Sequence, residues 1–244
     1  MERHPRINLN EFPLAEPRVI LGSFPTWSLT EADLSKFETE EVKAEVRLAN
    51  NDIQFFYGSR TNRFWDWYMK YLDPTINREN VTSIKESLKK HQIGITDMIL
   101  SCDRKGRSAL DKHLTRRSYN RNFLNLTTNQ QITTKILCTS KGVMNEMLFR
   151  DVNSYFPSQI VFDTEGAKRM ERLIMERIGG ILPPVSQPIF KRIIINGKLI
   201  LECFALPSPG SPYRRLKDFG CNTKQKNVDF LDSYLSFVFN WFNT

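Results

Sequence analysis

The chain has little of what a metal centre or a disulfide scaffold needs. Its 244 residues hold three histidines (His4, His91, His113) and four cysteines (Cys102, Cys138, Cys203, Cys221). None of these cysteines forms a C-x-x-C pair, so neither a zinc site nor a disulfide framework is expected, and no metal or other cofactor. Cys138 and Cys203 lie in apolar runs, where a thiol behaves as a small buried hydrophobe. No apolar run is long enough to span a bilayer. The first residues, Met1-Glu2-Arg3-His4-Pro5, lack the apolar stretch of a signal peptide. A membrane is therefore not an expected partner, and the cytoplasm is the default location. Internal repeats and low-complexity segments are also missing.

Positive charge is in surplus. The formal net charge is +8 and the pI about 9.3. That balance favours a polyanionic partner, nucleic acid before membrane, although an ordinary basic surface gives the same numbers. Apolar residues make up 40% of the chain, enough for one sizeable core in a single domain over residues 1–244. Residues 1–17 read as an irregular lead-in, since Pro5, Pro13 and Pro17 punctuate it.

Strands are expected over Arg18 to Phe24, Gln92 to Leu100 and Thr133 to Thr139. Two more, Arg192 to Ile195 and Lys198 to Ala205, flank Asn196-Gly197, a strong hairpin signal. Helices are expected from Thr30, then over Arg63 to Tyr71, Val81 to Lys90, Ala109 to Leu114, Ser140 to Met147, Thr164 to Ile178 and Lys226 to Phe242. Gly179-Gly180 stops the sixth of these. Ser101 to Arg107 reads as a charged loop, and Pro183, Pro184 and Pro188 as a stiff connector. Strands alternating with helices predict an α/β fold of three layers, a mostly parallel sheet between helices. Ligands of such sheets bind at the carboxyl ends of the strands. The turn after Leu21, the loop after Leu100 and the loop after Ala205 are expected to converge there.

The stretch Phe55-Phe56-Tyr57-Gly58-Ser59-Arg60-Thr61-Asn62-Arg63-Phe64-Trp65 is both aromatic and cationic. Bases stack on aromatic faces and phosphates pair with guanidinium groups, so the mixture suits an unpaired nucleotide. A plainer account stands beside it: Thr61 or Asn62 caps a helix whose aromatics face the core.

Four segments, taken in order, resemble the uracil-DNA glycosylase superfamily. They are Leu21-Gly22-Ser23-Phe24-Pro25; Tyr57-Gly58 with Asn62-Arg63-Phe64-Trp65; Gly94-Ile95-Thr96-Asp97 with Ser101-Cys102; and Leu206-Pro207-Ser208-Pro209. The nearest likeness is to the hypoxanthine-DNA glycosylase and mismatch-specific branches. The resemblance implies a central four-stranded, mostly parallel sheet, base flipping, and hydrolysis of the N-glycosidic bond without a metal. It gives Tyr57 the role of stacking on the flipped base. Asn62 takes the role of orienting the attacking water, and Gly22, Ser23 and Phe24 form a turn whose N–H groups meet the base.

Asp97 falls where many relatives carry an Asn that reads the base edge. A carboxylate only accepts hydrogen bonds, and its charge opposes a departing base anion. Three accounts remain open: Asp97 is protonated, or it stabilises the sugar's positive charge, or it caps the next loop. Leu206 to Arg215 matches the loop that enters the minor groove. Ser208 and Ser211 are its expected phosphate contacts, with Arg214 and Arg215 adding charge.

The pattern is not complete. Gly210 stands where several relatives have a Leu wedge, which leaves Tyr213 or Arg214 to fill the gap. Leu206 stands where the uracil-specific branch has a catalytic His, and Ser59-Arg60 replaces a His-Pro. A further basic set, Arg104, Lys105, Arg107, Lys112, Arg116, Arg117 and Arg121, is expected on the DNA side, or else on a solvated face.

The expectation is a monomeric, monofunctional DNA glycosylase that acts on a deaminated or otherwise modified base in double-stranded DNA. Asn62 and Asp97 are its candidate catalytic residues. Two rivals are an enzyme against a bulky modified cytosine, with Gly58 and Gly210 leaving room, and a nucleic-acid-binding module that has lost catalysis.

Overall fold

The computed structural model describes residues 1–7, 16–30, 52–106, 110–120, 133–149, 160–195, 197, 199–222 and 224–244. In chain order the elements are β1 (Glu2–Arg3), β2 (Arg18–Gly22), α1 (Phe64–Tyr71), α2 (Val81–Lys90), β3 (Ile93–Asp97), β4 (Ile99–Arg104) and β5 (Leu114–Tyr119). They continue with β6 (Thr134–Cys138), β7 (Ile160–Phe162), α3 (Thr164–Ile178), β8 (Phe190–Ile195), β9 (Leu199–Ala205) and α4 (Asn227–Asn243). A π-helical segment, Val143–Leu148, follows β6. The helix expected from Thr30 lies outside the described residues.

The main sheet has six strands in the order β3-β2-β6-β9-β8-β7. Its first four strands are mutually parallel. The count of four expected for the whole sheet is therefore too low. The hairpin around residues 196–197 folds β8 back antiparallel onto β9, and β7 adds antiparallel to β8. Gly197 makes that reversal with φ +65°, a left-handed backbone that glycine adopts without steric cost. β7 has only three residues, too short for an alternation pattern to show.

The parallel strands have sequence runs suited to cover on both faces. Val19, Ile20 and Leu21 of β2 are fully buried, each worth about 2 kcal/mol against exposure. All five residues of β3 are buried. From β2 the chain passes to β3 on one side and then to β6 on the other. The direction thus switches between β2 and β6, the point at which ligands of such sheets generally bind.

Helix ends follow local chemistry. Asn80 accepts from the backbone N–H groups of Thr82 and Ser83 and caps α2. Asp163 does the same for α3 through Gly166 N, and Gly179 closes that helix at φ +68°. α4 buries Phe230, Leu231, Tyr234, Leu235, Val238, Phe239 and Phe242. The Tyr234 phenol donates to the carbonyl of Ala205 at 2.7 Å, which fixes the carboxyl end of β9. All four cysteines are free and buried. Among the described residues no helix is long and apolar enough to cross a membrane.

A second, three-stranded sheet has the order β1-β4-β5 and is antiparallel. It corrects three expectations. The lead-in is not irregular throughout, because Glu2 and Arg3 pair with Cys102 and Ser101. The charged loop 101–107 begins as strand β4. The short helix over 109–114 is instead a single 3₁₀ turn, Asp111–His113, followed by β5. β5 reads Leu-Thr-Arg-Arg-Ser-Tyr and lies mostly open to solvent, so it carries no apolar signal.

Candidate functional site

Met98 N donates to Gly22 O and Ile99 N to Ser23 O, both at 2.9 Å, so the chain leaving β3 crosses the end of β2. Gly22 is level with Asp97 in the parallel register. A Cβ at Gly22 would lie 2.1 Å from Asp97 Oδ1, 2.5 Å from the Tyr57 hydroxyl and 2.7 Å from Tyr57 Cε1. Only glycine fits. The close approach it permits is to protein groups, not to the base as the sequence suggested.

Asp97 is 2% exposed. Its Oδ1 accepts from the Tyr57 hydroxyl at 3.2 Å, and its Oδ2 lies 2.9 Å from His4 Nε2. Arg6 N donates to His4 Nδ1 at 3.1 Å. A backbone N–H has no other role, so Nδ1 accepts and Nε2 carries the proton given to Asp97. The His4 ring packs against Phe24 and Phe56, with centroids 5.9 and 5.4 Å away. The Asp97 carboxylate is an acceptor held from two sides by distant side chains, and among the described residues it makes no bond of the kind a cap of the next loop requires. Burial, and then the Asp97 charge, push the Tyr57 phenol well above its ordinary value, which keeps it a donor. Tyr57 adopts φ +55°, a left-handed conformation costly for a bulky residue.

Asn62 Oδ1 accepts from Phe64 N at 3.0 Å, just ahead of Arg63, the N-cap residue of α1. This local turn engages the amide oxygen expected to orient water. Arg63 N donates to Pro209 O at 3.1 Å, tying the loop after β9 to the start of α1. Two of the four segments thus meet at this bond, and two more at Gly22 and Asp97. On the loop, Ser208, Gly210, Ser211, Tyr213, Arg214 and Arg215 are all exposed. A side chain at Gly210 would meet nothing within 4 Å, whereas one at Gly58 would lie 2.1 Å from the Ile53 carbonyl. The smallness of Gly58 therefore serves a turn and leaves no room for a ligand.

The aromatic stretch divides sharply. Phe55, Phe56, Phe64 and Trp65 are buried in the core, and Trp65 Nε1 donates to Phe56 O at 2.7 Å. Stacking on a base is left to Tyr57, the half-buried one.

The basic set also divides. Arg104 is buried and bonds Glu2 Oε2 at 2.8 Å and Pro25 O at 2.7 Å, with its guanidinium over the Phe24 ring. Arg117 donates to the carbonyls of Leu114 and Asp111. Both brace the protein. Lys105, Lys112 and Arg116 are exposed, and residues 107 and 121 lie outside the described residues.

One residue beside Asp97 carried no usable signal in the sequence. His4 sits in a proline-flanked lead-in, and only the pairing of β1 with β4 brings it to Asp97. No protein-family profile, no curated protein and no solved structure matches this chain.

Proposed function

We propose that the chain is a monofunctional DNA glycosylase that flips a modified base of hypoxanthine or uracil type out of double-stranded DNA and hydrolyses its bond to the sugar. One observation carries this reading. Gly22, Tyr57 and Asp97 meet at the carboxyl ends of the first two parallel strands, and the exposed loop of Ser208 to Arg215 is bonded to the Asn62-Arg63 segment. A base swung out of the duplex needs a surface to stack on and contacts that hold the backbone open. Tyr57 supplies the ring. Ser208, Ser211, Arg214 and Arg215 supply phosphate contacts, and Tyr213, 43% exposed, is the wedge. Asp97, held by His4, fixes the ring through the Tyr57 hydroxyl.

A second reading, a DNA-binding module without base release, draws on two facts. The Asn62 acceptor is engaged by Phe64 N, and Asp97 is enclosed. One experiment separates the two. Duplexes with hypoxanthine, uracil or a hydroxymethylcytosine derivative are incubated with the protein and treated with alkali, which cleaves at abasic sites. Cleavage with hypoxanthine or uracil supports the glycosylase. Cleavage confined to the hydroxymethylcytosine arm moves the substrate to bulky cytosines. Binding with no cleavage in any arm leaves the module. In an active enzyme, Asn62→Ala is expected to abolish release while retaining binding to abasic DNA.

A further inference from the structure

A second opening lies toward the other end of the main sheet. α3, β8 and the proline-rich connector ahead of β8 enclose a cavity of about 420 Å³. β8 stands four strand positions from β3, so roughly 19 Å of sheet separates the cavity from the strand that carries Asp97. Preformed ligand cavities measure roughly 300–1,000 Å³. Phe162, Ala167, Leu182, Val185 and Phe190 give this one a mostly apolar wall. Phe190 is buried, whereas Leu182 and Val185 are 55% and 89% exposed. Apolar side chains left open at the mouth gain from being covered.

The wall is braced by bonds within the protein. Glu171 Oε1, on α3, accepts from Ile189 N at 2.7 Å and Phe190 N at 3.2 Å, which pins the end of the connector to the helix. Lys141 donates to Gln187 O at 2.5 Å, and Asn145 Nδ2 to Pro188 O at 3.4 Å. Asp163 Oδ1 accepts from Gly166 N at 2.8 Å, and its Oδ2 from Arg192 at 2.6 Å. Both acids of the wall, Asp163 and Glu171, are thus engaged by the protein itself. The cations are not all matched. Arg192 is met by Asp163, and Lys168 by Glu165 at 3.1 Å. Among the described residues no carboxylate pairs with Arg172 or Lys191, which also line the cavity. The Lys191 ammonium lies over the Phe149 ring at 4.1 Å, and burial holds it below its ordinary value. The charge left over at the cavity is therefore positive, beside an apolar wall.

We infer that this cavity binds a small apolar organic anion, a hydrocarbon body with one carboxylate head. The body is covered by Ala167, Leu182, Val185 and Phe190, and the head meets Arg172, which is exposed at the mouth. A guanidinium takes a carboxylate through two parallel N–H donors. A neutral apolar molecule leaves Arg172 and Lys191 unmatched, and an apolar cation is repelled by them. The site stands apart from the glycosylase reading and does not depend on it.

The test is calorimetric titration of the full chain with sodium decanoate near neutral pH, below the concentration at which it forms micelles. Saturable binding at a single site is expected. Octanoate should bind about 15-fold more weakly, because two buried CH₂ groups are lost. Decyltrimethylammonium, with the same chain and the opposite charge, should not bind. Arg172→Glu is expected to weaken decanoate about 10- to 100-fold, with Arg172→Lys recovering part. Ala167→Phe fills the cavity and should abolish binding, after a thermal melt has shown that the variant folds. Val185→Glu changes an exposed rim residue, leaves the fold alone and should weaken decanoate in the same sense. Absence of saturable decanoate binding overturns the inference. So does equal binding of decyltrimethylammonium, or wild-type affinity in Arg172→Glu and Val185→Glu.

Discussion

Replacing Gly22 by alanine tests the geometry of the site without assuming any activity. The added carbon would sit 2.1 Å from Asp97 Oδ1 and 2.5 Å from the Tyr57 hydroxyl. Neither neighbour is the far end of a floppy chain, because Asp97 is bonded to His4 and Tyr57 is packed 4.9 Å from Phe64. Forcing a methyl into such a place costs about 1–3 kcal/mol. Separating the phenol from the carboxylate removes a charge-assisted hydrogen bond, about 1.5–3 kcal/mol more. The expected loss is about 4 kcal/mol, a drop of roughly 8–16 °C in Tm for a chain of this size. Urea unfolding of Gly22→Ala beside Gly210→Ala measures it. The second site is open, so its cost should stay within about 0.5 kcal/mol. Tyr57→Phe in the Gly22→Ala background should recover part of the loss, since it removes the contact to the hydroxyl and leaves those to Asp97 Oδ1 and to the ring carbon. Asp97→Ala should couple with Gly22→Ala by about 1–2 kcal/mol. Equal midpoints for the two glycine variants would refute the packing described here.

Three further outcomes are expected. His4→Ala strips Asp97 Oδ2 of its donor and should cost about 3 kcal/mol in urea unfolding, with His4→Gln recovering part; equal stability of wild type and His4→Ala would contradict the buried bond. Arg214→Ala with Arg215→Ala should lower the slope of log binding against log salt by about 1.8, if each arginine meets one phosphate; an unchanged slope moves the DNA contact elsewhere. The third concerns Asp111, whose carboxyl holds its proton more tightly folded than unfolded. Its contribution is then full below the ordinary carboxylate range and is lost as pH rises through the folded value. Asp111→Asn should therefore be more stable than wild type near neutral pH and equal to it in acid, and thermal melts across that range that stay parallel would exclude the raised value.

Where pattern and covering agree, the sequence was readable. β2, β3 and β6 are apolar runs in a sheet flanked by helices, and α2 and α3 form over the residues expected, with Gly179 as the stop read for the second. What escaped depended on distant partners. β1 and β5 are strands because β4 lies between them, and neither alternates in hydrophobicity. His4 follows β1, so the grouping was partly legible: Gly22, Tyr57 and Asp97 were picked out from the sequence, and His4 was not. Asn62 was expected either to cap α1 or to orient water; the cap position falls to Arg63, and the Asn62 amide instead closes a turn with Phe64 N.

β3 has a single strand neighbour in the main sheet, whereas β9 has one on each side. Asp97, at the end of β3, is thus attached to the rim of the sheet, and its ties to the interior run through β2, Tyr57 and the His4 arm. Local opening should begin at such a margin. Amide hydrogens of residues 93–97 are expected to exchange ahead of those of 201–205, so mild heat would dismantle the chemistry while the hairpin half of the protein is still folded.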